Sequence, residues 1–85
     1  MKTIDNEKFG LPARTVLEQV DQQTLALIVD RKSRIIMADG RKILSMVDKI
    51  QQIQPHTTVV LKTSAPVCSK TRALLAEAGV EVIGL

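Results

Sequence analysis

Residues 57–84 read as strand, helix, strand, and this unit constrains the fold more than any other stretch of the chain. Thr57-Thr58-Val59-Val60-Leu61-Lys62 is rich in β-branched residues, which fit a pleated, half-buried surface. Thr63-Ser64-Ala65-Pro66-Val67-Cys68 then leads into a helical pattern. Ser64 suits an N-cap, and Pro66 suits a first helical turn, where a missing N–H costs nothing. Val67, Thr71, Leu74, Leu75 and Ala78 supply the buried stripe. Gly79 supplies a left-handed C-terminal cap, and Val80–Ile83 reads as the closing strand. Strands joined through a helix run parallel with a right-handed crossover, so the chain belongs to the α/β class.

The upstream half is read to match. Leu25-Ala26-Leu27-Ile28-Val29 is apolar without alternation, as in a strand covered on both faces. Asp30-Arg31-Lys32-Ser33 is a polar break, and Arg34-Ile35-Ile36-Met37-Ala38 reads as a second strand. The expectation is an antiparallel hairpin of 24–30 with 34–38. Asp39 then caps a helix whose apolar face is Ile43, Met46, Val47, Ile50 and Ile53, ending before Pro55. Pro12, Ala13, Val16, Leu17 and Val20 have helical spacing and predict a helix over 12–22. Residues 1–10 lack a periodic pattern and read as an arm.

The expected architecture is one domain over residues 1–85, with the element order α-β-β-α-β-α-β. Its four-stranded mixed sheet has strand one antiparallel and strands two to four parallel. Two crossovers stepping the same way put both helices on one face. The first helix or a second subunit must cover the other, so self-association is expected.

Composition narrows the function. One Phe, no Trp and no Tyr leave the core to Leu, Ile, Val, Ala and Met. No apolar run reaches the length of a membrane span, and the polar start resembles no signal peptide. A cytoplasmic protein without a membrane partner is the expectation. One Cys and one His cannot make an internal disulfide or a structural zinc site, and no cofactor or metal is expected. Net charge is +3, but residues 31–72 hold nine Lys/Arg against Asp39 and Asp48. Such a segment is either a solvated basic face or a surface for phosphate or nucleic acid.

In open α/β sheets, ligands bind outside the carboxyl ends of the strands. On the expected topology, that edge gathers Asp39, Gly40 and Arg41 after strand two with Lys62, Thr63 and Ser64 after strand three. Cys68 and Lys70 open the following helix. Helix N-termini present free N–H groups to anions, so a phosphate-bearing ligand is the first expectation. The plainer alternative is that Asp39 and Ser64 only cap helices. The Gly-rich phosphate loop G-x-x-x-x-G-K-[ST] is absent. Arg31, Lys32 and Arg34, in the hairpin turn, are expected at the opposite edge. Two further function classes stand beside a binding or regulatory domain. One is a nucleic-acid-associated module using 31–72, with nonspecific backbone contacts and no aromatic stacking beyond Phe9. The other is a small thiol enzyme using Cys68.

The Ala65-Pro66-Val67-Cys68 segment resembles a glutaredoxin active site, where a strand leads into C-P-x-C opening a helix that ends in Gly. The resemblance spans about 27 residues. The position of that family's attacking cysteine is Ala65 here, so dithiol chemistry within one chain is excluded. Cys68 is either a thiolate favoured by the helix N-terminus and nearby cations, or a small packing residue. His56 precedes strand three and lies at the opposite edge, so a Cys–His pair is not expected.

Overall fold

The computed structural model describes residues 9–11 and 15–85, and the backbone of residues 2–4. Among the described residues, five strands and two α-helices follow in the order β1 (Lys2–Ile4), β2 (Val16–Asp21), β3 (Thr24–Val29), α1 (Met37–Ile53), β4 (Thr58–Thr63), α2 (Ser69–Glu77) and β5 (Glu81–Gly84). They form one sheet in the order β1-β2-β3-β4-β5. β1 and β2 pair antiparallel, as do β2 and β3, whereas β3, β4 and β5 run parallel. From β2 onward this is the expected mixed sheet, one antiparallel strand followed by three parallel ones. β4 and β5 are parallel neighbours, with Val60 opposite Glu81 and Lys62 opposite Ile83.

The segments filling the first half of that sheet differ from the sequence reading. The helix expected over 12–22 is strand β2 from Val16 onward, while residues 12–14 lie outside the described residues. Helical spacing misled here because, among the described residues of its apolar set, only Leu17 is buried, against Leu27 on β3. Asp21 accepts a hydrogen bond from the Gln23 N–H at 2.9 Å and closes the hairpin turn to β3. The arm expected at 1–10 contributes β1, and Phe9 is buried in the core. The second strand expected at 34–38 is absent: α1 starts at Met37, and Ile35 makes only an isolated parallel bridge to Val67.

Both helices pack on one face. Ile43, Val47 and Ile50 of α1 and Leu75 of α2 share one cluster with Leu25 and Leu27 of β3 and Val59 and Leu61 of β4. The apolar run Leu25–Val29 thus alternates after all. Leu25, Leu27 and Val29 face the helices, and Ala26 and Ile28 face away. Each fully buried Leu or Ile contributes roughly 1.5–3 kcal/mol relative to an exposed one. α2 ends as expected, with Gly79 at φ +79°. The Gly79 N–H reaches the Ala76 carbonyl at 3.0 Å and the Val80 N–H reaches the Leu75 carbonyl at 2.8 Å, closing the helix end.

Candidate functional site at the carboxyl edge of the sheet

Because β3 and β4 are parallel, both chains leave the sheet at the same edge and enter helices there. The two connecting loops are zipped together. The Ile35 N–H donates to the Pro66 carbonyl at 2.8 Å, and the Cys68 N–H donates to the Ile35 carbonyl at 3.1 Å. A third link joins the strand ends, where the Ser64 hydroxyl donates to Asp30 Oδ1 at 2.6 Å. The N-termini of α1 and α2 are therefore held beside each other.

They differ in how their free N–H groups are used. α1 begins after Ile36, and Asp39 in its first turn accepts the Ile36 N–H at 3.0 Å. Ile36 has no side-chain acceptor to return the bond, so this is only half of a capping box. Asp39 is not the N-cap expected from sequence but the third helical residue. Arg31 holds the same carboxylate at 2.7 Å and also donates to the carbonyls of Ser33 and Arg34. The Arg31 bond, then the Ile36 N–H, hold the Asp39 carboxyl below its usual range. The end of α1 is thus occupied by the chain's own anion.

α2 begins after Cys68, not at Ser64, and no side chain caps it. The backbone N–H groups of Thr71 and Lys70 point toward the Cys68 sulfur and lower the thiol pKa without closing a capping bond. Arg34 adds a smaller favourable charge from the neighbouring loop. Arg72 lines a shallow recess of about 220 Å³ at the carboxyl ends of β4 and β5, with Thr63, Val67 and Gly84.

The expected site residues divide accordingly. Asp39, Gly40, Arg41, Ser64, Cys68 and Lys70 lie on or next to the two zipped loops. Gly40 is buried: a Cβ there would meet Thr71 Cγ2 at 2.8 Å, so the first turns of α1 and α2 touch at this glycine. Thr63 is also buried and its hydroxyl is committed, donating to the Val29 carbonyl at 2.7 Å and accepting the Ala65 N–H at 3.0 Å. Lys62 leaves the edge altogether. Its side chain lies on the sheet face away from the helices and reaches Glu18 Oε1 at 3.4 Å. Alternation along β4 decides this, since Thr63 faces the helices and Lys62 must then face away.

Arg31, Lys32 and Arg34 move the other way. Without a hairpin at 24–38, their loop follows β3 directly and lies at the carboxyl edge, not opposite it. The missed signal was the Asx turn at Asp21-Gln22-Gln23, which marks β2 and β3 as the hairpin. His56 precedes β4 at the far edge, as expected. Among the described residues, no group of three His, Cys, Asp or Glu could hold a metal ion, and no helix is long and apolar enough to cross a membrane. Comparison with family models, curated proteins and solved structures finds no match.

Proposed function

We propose that this chain is a small non-enzymatic binding or regulatory domain that takes an anionic or phosphate group at the N-terminus of α2. One observation carries the reading: the zipped loops leave α2 without a side-chain cap and set Arg34 beside it, whereas Asp39 already fills the end of α1. Free N–H groups at a helix start attract anions through both hydrogen bonds and the helix dipole. Lys70 in the first turn adds a cation. Each exposed helix-terminus interaction contributes only about 0.3–1 kcal/mol, so Arg34 and Lys70 set the useful affinity. Titrating labelled protein with inorganic phosphate and simple nucleotides by NMR tests this. Amide shifts centred on Ser69, Lys70 and Thr71, weakened by Arg34→Ala with Lys70→Ala, are expected. Shifts elsewhere, or none, would overturn it.

A second reading gains from the placement of Arg31, Lys32 and Arg34 at the same edge as Lys70 and Arg72. It is a nucleic-acid-associated module making phosphate contacts, and steep loss of DNA or RNA binding with salt would favour it. The thiol-enzyme reading lacks a base, because His56 lies across the sheet from Cys68. Self-association also belongs to the proposed reading. It would use the sheet face away from the helices, where Val16, Ile28 and Ile83 lie in one row. A cytoplasmic location completes this reading.

A further inference from the structure

A groove on the β2 side of α1 has a volume of about 780 Å³. Its origin is topological. β3 outruns β2 by one residue: Ile28 still pairs with Val16, Val29 has no β2 partner, and Thr15, Asp30 and Arg31 line the groove beyond. On that side of β3 the chain returns through a hairpin rather than a crossover, so among the described residues no α-helix fills the space beside α1.

The walls have two characters. Leu27, Val29 and Met46 supply an apolar interior. Lys42, Ser45, Met46 and Lys49 come from one stripe of α1, at the helical spacing that puts them on a common face. Lys42 and Lys49 are exposed, and the two ion pairs among the described residues, Arg31–Asp39 and Lys62–Glu18, include neither. Arg31 is committed to the loop and to Asp39, and the Asp30 carboxylate is held by Ser64. The residues lining this groove thus carry three positive charges, Arg31, Lys42 and Lys49, against the one negative charge of Asp30, while Asp39 lies near Arg31 and Lys42. Ligand pockets are typically about 300–1,000 Å³, mainly apolar, with a few polar groups that orient the ligand.

We infer that this groove binds a small amphipathic anion, with an apolar body against Leu27, Val29 and Met46 and a single carboxylate or phosphate head at Lys42 and Lys49. Burial of the body supplies affinity, and the lysines select the sign of the head. A neutral or cationic head on the same body gains nothing from two exposed ammonium groups, and a cation is repelled. The site is separate from the N-terminus of α2, so it stands or falls independently of the function proposed above.

The test compares decanoate and decyltrimethylammonium, each below its micelle concentration, and decanol below its solubility limit, in NMR titrations of the full chain. Decanoate is expected to shift signals of Val29, Ser45, Met46 and Lys49, and the cationic ligand to leave them in place. Lys42→Ala with Lys49→Ala should weaken decanoate about tenfold while leaving decanol unchanged. Ser45 is exposed, so Ser45→Trp should block the groove without disturbing the fold, and decanoate binding should then be lost. Decanoate binding that survives Ser45→Trp, or that ignores the lysine substitutions, would overturn the inference. Equal binding of decanoate and decyltrimethylammonium, or no decanoate binding to the unmodified chain, would do the same.

Discussion

Single residues hold the carboxyl edge in shape, and Thr63 shows how. Its buried hydroxyl both donates to Val29 and accepts from Ala65, joining the ends of β3 and β4. Thr63→Val keeps the shape and removes both bonds, leaving the Ala65 N–H buried without a partner. The expected loss is about 1–3 kcal/mol, read by urea denaturation, with Thr63→Ser losing less. A loss for Thr63→Val no larger than for Thr63→Ser would show that the hydroxyl is not the fastener. Asp39 acts by charge. Its folded pKa lies below the unfolded value, so its contribution is complete above the ordinary carboxylate pKa and disappears as pH falls through the lower folded value. Asp39→Ala should cost about 1 kcal/mol at neutral pH, and the difference from the parent should shrink on acidification. A difference independent of pH would mean that the Arg31–Asp39–Ile36 arrangement does not stabilise the fold through the ionised carboxylate.

At the scale of elements, the contact of α1 with α2 turns on Gly40. A glycine inside a helix costs about 1 kcal/mol relative to alanine, yet a Cβ at this position would press on Thr71 Cγ2. Overpacking of this kind typically costs about 1–3 kcal/mol, so Gly40→Ala is expected to destabilise slightly despite the better helix propensity. Thr71→Ser removes the obstructing methyl. In a double-mutant cycle, Gly40→Ala should therefore be stabilising in the Thr71→Ser background. A purely additive cycle would contradict the close approach. The sequence made the second half of the fold legible because each local signal there agreed with the tertiary one. The β-branched run, Gly79 and the parallel crossover all point to β4, α2 and β5. The first half was not legible, because Val16, Leu17 and Val20 satisfy helical spacing as well as strand propensity. Pairing between Leu17 and Leu27, a contact between segments, settles the matter. That error also displaced the candidate site. Once 24–29 pairs with 16–21, the loop carrying Arg31 and Arg34 changes edges, while the helix starts near Asp39 and Cys68 keep their place.

The whole molecule has one helix-covered sheet face and one face with mixed chemistry. On the second, Glu18 lies opposite Ala26, and Lys62 reaches across β3 to it, so the ion pair passes over a residue small enough to admit it. One ladder step away, Val16, Ile28, Lys62 and Ile83 cross β2 to β5 in a single row. Val16 is 47% and Ile83 37% exposed, and the aliphatic stem of Lys62 continues the row between Ile28 and Ile83. Two copies placing these rows together would bury apolar surface while the ammonium groups of Lys62 remain with Glu18. A specific interface needs about 800 Å² from each partner, which requires most of this face and not the row alone. Sedimentation equilibrium of the full chain is expected to show a dimer at high micromolar concentration. Val16→Lys with Ile83→Lys places like charges at both ends of this row and should return a monomer, with thermal stability of the monomer little changed because both sites are already exposed. A monomer for the unmodified chain at that concentration, or a dimer unmoved by the paired lysines, would remove this face as the site of association.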